Sequence, residues 1–172
     1  IYTGCRSSAA SDVYKRQVYL RLTREKLPVI HPDEKPFRIG RGVVVRDGGD
    51  VTIYAIGLML HLALEAAEEL RRGGVDARVV DLATVKPIDE HLVEQCAQET
   101  GCAVTAEEHT IVGGLGDAVG EVLLRRHPIA LERIGVRDSF GRSGEPQELL
   151  EYFELTSQAI VAAARRAVSR KR

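Results

Sequence analysis

Regular alternation between strand-like and helix-like segments, from Val43 to the end of the chain, is the feature that most limits the possible fold. Short runs of β-branched and aliphatic residues alternate with longer stretches in which apolar residues recur at spacings of three and four. Strands and helices in this order form a mostly parallel sheet, because each helix carries the chain back across one face of the sheet. We therefore predict an α/β fold of three α/β/α layers with a mixed, mostly parallel five-stranded sheet.

The first two strands are expected to form a hairpin. The runs Val43–Val45 and Val51–Ile56 flank residues 47–50, which read Asp-Gly-Gly-Asp. Turn residues between two apolar runs are typical of an antiparallel pair. We predict that the first of these strands forms an antiparallel edge of the sheet.

The later elements are marked by apolar runs and by capping residues. Three further strands are predicted, over Ala77–Leu82, Cys102–Ala106 and Ala130–Val136. The first helix carries an apolar stripe made of Leu60, Ala63, Leu64, Ala67 and Leu70. Helix starts are predicted from N-caps at Asp89 and Thr156 and from Pro146 at a first helical position.

The residues before Val43 lack this alternation. Residues 1–17 have neither helical nor strand periodicity, and we interpret them as a foreign or disordered segment. Residues 18–22 read VYLRL, a short strand-like run. Residues 28–42 contain three prolines and many charges, which predicts a linker between domains.

Composition excludes several classes of function. The net charge is −1, from 24 basic and 25 acidic residues, so no overall field attracts nucleic acid or an anionic membrane. No apolar run approaches the roughly 18 residues that span a bilayer. Three cysteines without CxxC spacing favour a reducing compartment and give no zinc site. We expect a cytoplasmic protein without nucleic-acid, membrane or metal binding by these residues.

Acidic and imidazole side chains follow the predicted strand that ends at Ala106. Loops at the carboxyl ends of parallel strands form the functional edge of such sheets. Glu107 and Glu108 are not expected to act as a catalytic pair, because adjacent residues of an extended chain point to opposite faces. We predict that Glu108 and His109 line this edge or a subunit contact, and we assign no catalytic residue.

A glycine-rich sequence, Gly114-Leu115-Gly116 with Gly120 four residues later, precedes the next helix. One interpretation is a dinucleotide-binding turn. Against it, six residues separate the strand from the glycines, and Asp117 brings a negative charge to the position of a pyrophosphate. The alternative is that the glycines allow close packing.

Two arginines, Arg21 and Arg24, flank the end of the VYLRL run. An arginine just beyond a strand, next to a threonine hydroxyl, can bind a phosphate or carboxylate through its guanidinium fork. We regard Arg24 as a candidate substrate-binding residue.

Five stretches together resemble the C-terminal domain of the transketolase family. They read, in order, VYLRLTREKLP, GDVTIYAIG, VVDLATVKPID, CAVTAEEHTIVGGLGDAVGE and ERIGVRDSFGRSGEPQELLEYFELT. The resemblance is closest to the C-terminal subunits of split transketolases, and it extends to deoxyxylulose-phosphate synthases and to the β subunits of 2-oxo-acid dehydrogenases. It implies that residues 18–27 end a pyrimidine-binding domain and that residues 43–172 form the C-terminal domain.

The resemblance also implies a function. Enzymes of this family transfer a two-carbon ketol unit between sugar phosphates with thiamine diphosphate and Mg²⁺, and Arg24 matches an arginine that holds the substrate phosphate. The thiamine-binding portion has no counterpart in these residues. We therefore expect the chain to bind no cofactor, to be inactive alone, and to join that portion or subunit in a homo-oligomer. Alternatives are a fragment of a dehydrogenase β subunit or of deoxyxylulose-phosphate synthase, or a stand-alone nucleotide-binding module.

Overall fold

The computed structural model describes residues 28–31 and 37–171. The chain divides into two compact units, Ile1–Arg38 and Ile39–Arg172. In the first unit, the described residues 28–31 and 37–38 form no helix or strand. The second unit contains all the regular structure that follows.

Five strands form one sheet in the order β1-β3-β2-β4-β5. Their bounds are β1, Val43–Arg46; β2, Val51–Ala55; β3, Ala77–Asp81; β4, Cys102–Thr110; and β5, Ala130–Val136. Strand β2 pairs in parallel with β3 and β4, β4 pairs in parallel with β5, and β1 lies antiparallel to β3. The predicted mixed, mostly parallel five-stranded sheet is confirmed.

Helices cover both faces of this sheet. Their bounds are α1, Met59–Arg72; α2, Glu90–Thr100; α3, Leu115–Arg126; α4, Pro146–Tyr152; and α5, Ser157–Ser169. Helix α1 packs against α5, and α2 packs against α3. None of the helices within residues 37–171 has the length and apolar character needed to cross a bilayer.

The predicted hairpin between the first two strands is wrong. Strand β1 is an antiparallel edge as expected, but its neighbour is β3. All five residues of β2 are buried, and this strand occupies the centre of the sheet between two parallel neighbours. Residues 47–50 therefore do not turn back on β1. They pass the start of β3, where a Cβ on Gly48 would lie 2.5 Å from the carbonyl carbon of Ala77.

Helix limits follow the capping residues closely. The Asp89 carboxylate accepts the Leu92 N–H at 3.2 Å, and the Thr156 hydroxyl accepts the Ala159 N–H at 3.2 Å. Gly101 ends α2 in the left-handed conformation, which a residue without a side chain adopts at little cost. The predicted N-caps at Asp89 and Thr156 are confirmed. Such caps can be predicted locally, because a cap binds the backbone of the first turn of its own helix.

Strand β4 is longer than predicted. It runs through Glu107, Glu108 and His109 to Thr110, although its charged end breaks the apolar pattern. Its pairing with β5 is irregular there, since Ala106 faces Ile134 and Thr110 faces Val136. Three residues of β4 lie between these two pairs, but only one residue of β5 does. The extra residues of β4 form a bulge, which interrupts the regular pairing at the carboxyl end of the strand.

Candidate functional site at the carboxyl end of β4

The carboxylate of Glu107 closes the amino end of α3. Glu107 is only 2% exposed, and its two oxygens accept the N–H groups of Leu115 at 2.7 Å and Gly116 at 2.8 Å. Gly114, the N-cap of this helix, provides no side-chain cap of its own. A buried carboxylate thus satisfies two free N–H groups at the positive end of the helix dipole.

Gly114 is required by this contact. A Cβ at its position would lie 1.9 Å from Oε2 of Glu107. The glycines therefore allow close packing, which is one of the two interpretations left open by the sequence. The nucleotide interpretation is disfavoured at this loop, because a pyrophosphate would need the N–H groups that Glu107 already occupies.

Glu108 and His109 lie apart from this buried carboxylate. Both side chains are exposed, and the His109 Nδ1 lies 3.0 Å from the Thr110 carbonyl oxygen. Glu107 is buried and Glu108 is exposed, so the two carboxylates do not form a pair, in agreement with the sequence-based expectation. Among the described residues, no titratable side chain forms a hydrogen bond with Glu108 or His109.

An ion pair links α3 to β5 beside the glycine loop. Nη1 of Arg133 lies 2.6 Å from Oδ1 of Asp117, whose Oδ2 accepts the Gly113 N–H at 2.6 Å. The methylene part of Arg133 covers Gly116, where a Cβ would lie 2.6 Å from the arginine Cδ. Sequence reasoning noticed Asp117 only as an obstacle to a phosphate. Its partner, sixteen positions away, carried no local signal.

A groove of about 470 Å³ runs between α3 and β5. Its apolar lining comes mainly from Leu123, Leu124, Ile129 and Leu131, and Arg133 lies at one end. Sequence reasoning missed this groove, because its walls come from two elements that are adjacent only after folding.

The loop after β5, Arg137–Glu145, carries an exposed aromatic residue. Phe140 is 99% exposed. The Arg142 guanidinium lies over the Tyr152 ring, 4.8 Å from its centroid, and Arg137 pairs with Glu154 at 3.2 Å. This loop follows the end of β5 and therefore lies at the carboxyl edge of the sheet, where the functional loops of such folds lie.

A second cluster of charges lies at the opposite, amino-terminal end of the sheet. Arg78 is nearly buried and pairs with Glu99 and, at 2.8 Å, with Asp47. A hydrogen bond from the Gly48 N–H and the Arg78 guanidinium hold the pKa of Asp47 below its ordinary range. Burial raises the pKa of the neighbouring Cys96 thiol. These interactions join the residues before β2 to α2 and have a structural role.

Among the described residues, two features that could hold a cofactor's metal ion or pyrophosphate are missing or already occupied. Residues 28–31 and 37–171 contain no group of three His, Cys, Asp or Glu side chains that could hold a metal. The glycine-rich helix start that most resembles a pyrophosphate site is filled by Glu107. Arg24, the candidate substrate-binding residue, lies outside the described residues.

A family model, related sequences and a solved structure all point to the same family. Residues 40–160 match the family described as transketolase, C-terminal domain. The chain is 46% identical over 154 residues to the 6-deoxy-6-sulfo-D-fructose transketolase subunit of Clostridium sp. (strain MSTE9), covering 90% of this chain and 48% of that protein. It is 42% identical over 150 residues to a putative transketolase C-terminal section from Methanocaldococcus jannaschii, covering 86% and 46%.

A solved structure resembles this chain equally well. It is described as "Split gene transketolase, inactive beta4 tetramer", where beta4 refers to the assembly and not to a strand. It superposes with a TM-score of 0.84 at 48% identity. The match covers 87% of this chain and 49% of that one. The chain therefore spans about half the length of the relatives it matches.

Proposed function

The chain belongs to the transketolase family, whose C-terminal domain it contains, and from this premise we propose that it completes a thiamine-dependent transketolase. In that enzyme a two-carbon ketol unit passes between sugar phosphates. The observation that carries the proposal is the match of residues 40–160 to the C-terminal domain, together with relatives described as transketolase subunits or sections. The substrates themselves are expected to be phosphorylated sugars.

The contribution of this domain is architectural. Its only buried acidic residue at the carboxyl end of β4, Glu107, is committed to the backbone of α3 and is not available to a substrate. Glu108, His109 and Phe140 are exposed at the same end of the sheet, where they can contact another polypeptide. We assign these residues to a subunit contact and no catalytic step to the described residues.

Thiamine diphosphate and Mg²⁺ would be held by a thiamine-binding portion or subunit that joins this domain. When bound there, thiamine diphosphate would supply the carbanion chemistry that ketol transfer requires. This chain contributes Arg24, whose guanidinium would bind the phosphate of the sugar substrate. We expect the enzyme to be cytoplasmic and to bind neither nucleic acid nor membranes.

Self-association is part of the proposal. The solved relative is described as a tetramer ("beta4"), and this chain is 48% identical to it. We expect this chain to form a homo-oligomer on its own and to keep that contact in the complete enzyme.

Reconstitution tests the function. The chain is mixed with the thiamine-binding polypeptide, and transfer of a ketol unit from a ketose phosphate to an aldose phosphate is followed with and without thiamine diphosphate. Activity is expected only for the mixture with cofactor. A folded mixture that forms a complex but transfers no ketol unit would contradict the proposal.

Assays with other substrates distinguish two rival enzyme functions from the proposed one. Decarboxylating condensation of pyruvate with an aldose phosphate, with release of CO2, would identify a deoxyxylulose-phosphate synthase. Decarboxylation of a 2-oxo acid, with transfer of the remaining acyl group to a lipoyl carrier, would identify a dehydrogenase β subunit. Calorimetric titration of the chain alone with NAD and ATP is expected to give no heat of binding. Tight binding of either nucleotide would favour the stand-alone module instead.

A further inference from the structure

The residues just before β1 are held by side chains of the loop that follows β3. The Thr84 hydroxyl accepts the Gly40 N–H at 2.9 Å, and Oδ2 of Asp89 accepts the Gly42 N–H at 3.1 Å. Both glycines precede β1, so the pairing of β1 with β3 does not account for these bonds. The backbone at the start of the domain is therefore bound by side chains that lie 44 and 47 positions later.

Asp89 serves two elements at once. This side chain is only 7% exposed, and its Oδ1 caps α2 by accepting the Leu92 N–H. A helix cap needs one carboxylate oxygen, so Oδ2 remains available for the Gly42 N–H. Nη1 of Arg41 also lies 3.7 Å from Oδ1 of Asp89, but the arginine side chain is 67% exposed and adds little. The hydrogen bond to Gly42 is therefore the main tie between Asp89 and the residues before β1.

The two glycines fit closely against the same loop. Gly40 has a φ of +77°, a conformation that favours glycine, and a Cβ there would lie 3.0 Å from Cγ of Pro87. A Cβ on Gly42 would lie 2.7 Å from Cδ2 of Leu82. Residues 37–39, immediately before, are exposed. Firm attachment of the chain to the domain therefore begins at Gly40.

This attachment lies at the carboxyl edge of the sheet. Strand β1 is antiparallel to β3, so the start of β1 lies beside the end of β3. The loop that contains Thr84 and Asp89 follows that end of β3, and such loops form the functional edge of α/β sheets. The chain that precedes Gly40 thus enters the domain at the edge where functional loops lie.

We propose that Thr84 and Asp89 are positioning residues, which clamp residues 40–42 and thereby fix the point where the segment that carries Arg24 enters the domain. The inference rests on the proposed function for the role of Arg24, and it adds two residues that act through the backbone and not on the substrate. Release of the clamp would lengthen the free backbone ahead of β1. A substrate-binding group on a longer free segment is less well placed, which weakens its contact with the substrate.

Limited proteolysis of the complete chain tests the clamp directly. Trypsin cleaves after Arg41, inside the clamped stretch, and after Arg38, outside it. Thr84→Val removes one acceptor, and Asp89→Asn removes the other while asparagine remains a good N-cap for α2. Each substitution should raise the rate of cleavage after Arg41, relative to that after Arg38, by about fivefold, the effect of losing one hydrogen bond.

Asp50→Asn is the matched control for both substitutions. The Asp50 carboxylate also accepts a backbone N–H, that of Asp76 at 2.7 Å, but it does so at the opposite end of the sheet, before β2 and β3. This variant should leave the ratio of the two cleavage rates unchanged. Thermal unfolding of every variant separates opening of the clamp from a general loss of stability.

Kinetics of the reconstituted enzyme test the positioning role. Thr84→Val should raise the KM for a phosphorylated sugar by about threefold or more and leave the KM for the same sugar without its phosphate unchanged. Combined with Arg24→Met, it should cause no further rise, because the group that it positions is already lost. A substitution that only loosened the domain would add its effect to that of Arg24→Met.

Three outcomes would overturn the proposal. They are cleavage after Arg41 that neither Thr84→Val nor Asp89→Asn accelerates, an equal acceleration in Asp50→Asn, and a KM effect of Thr84→Val that persists in full beside Arg24→Met. Proteolysis needs no enzymatic activity, so it tests the clamp whatever the enzyme does. A clamp that opens as expected in a chain that supports no ketol transfer would contradict only the proposed function.

Discussion

The carboxylate of Glu107 and the backbone N–H of Gly116 form a hydrogen bond of 2.8 Å between the end of β4 and the first turn of α3. The second carboxylate oxygen binds the adjacent N–H of Leu115, so one buried side chain holds the strand and the helix together. The chain itself thus fills the site at which proteins with a similar glycine-rich turn hold a phosphate. This contact explains why the loop contains glycine, because a Cβ at Gly114 would overlap the Glu107 carboxylate.

Replacing Glu107 by Gln should destabilise the domain by about 2 kcal/mol, because the side chain loses its charge and turns an amide N–H₂ group towards a backbone N–H. Urea unfolding at pH 7 measures the change. Glu108→Gln is the control, since Glu108 is adjacent but exposed, and it should change stability by less than about 0.5 kcal/mol. Equal effects of the two substitutions would contradict the assigned role of Glu107.

Replacing Gly114 by Ala should destabilise the domain by about 2 kcal/mol or more, because the added methyl group would overlap the Glu107 carboxylate. The matched control is Gly49→Ala, where no atom lies within 4 Å of the added carbon. Thermal unfolding of both variants gives the comparison. A Gly114→Ala protein as stable as the control would show that the loop can move away from Glu107.

Glu99 should contribute to stability in a pH-dependent way. The Gln95 amide and the Arg78 guanidinium hold the pKa of Glu99 below its ordinary value of 4.5. A carboxyl group with a depressed pKa stabilises the folded state above the unfolded pKa, and this stabilisation is lost as the pH falls through the folded value. Glu99→Gln should therefore be less stable than the original protein at pH 7, with a difference that shrinks below pH 4.5.

Urea unfolding at several values from pH 7 down to about pH 3 measures this difference. Glu65→Gln is the control, because Glu65 is exposed on α1. The free energy of unfolding of Glu65→Gln should change with pH in the same way as that of the original protein. A Glu99→Gln difference that stays constant with pH would mean that the ionised carboxylate is not what stabilises the contact with Arg78.

Arg24 can be tested although its position lies outside the described residues. In the reconstituted enzyme, Arg24→Met should raise the KM for a phosphorylated sugar by about tenfold or more with little change in kcat, because a charge-assisted contact to the phosphate is lost. The KM for the same sugar without its phosphate should stay unchanged. Arg21→Met is the control for a general effect on this segment, and an equal rise in KM for both variants would contradict a specific role for Arg24.

Local features of the fold were predictable from the sequence, because the information that determines them lies within a few residues. The limits of β5, the caps Asp89 and Thr156 and the start of α4 at Pro146 agree with the structure. The family was also predictable, since five motifs in a fixed order are specific even when each one is common. The end of β4 was not, because the charges of Glu107, Glu108 and His109 hide a strand that continues to Thr110.

What the sequence determined by itself is therefore the order and nature of the elements, since apolar periodicity and caps act within one turn or one strand. Tertiary structure decided which strands are neighbours. It set β2 between β3 and β4 and moved β1 to the far side of β3, because the fully buried β2 requires a neighbour on each side. It also decided what Glu107 does, since the N–H groups that this carboxylate binds become its neighbours only when α3 folds back onto the sheet.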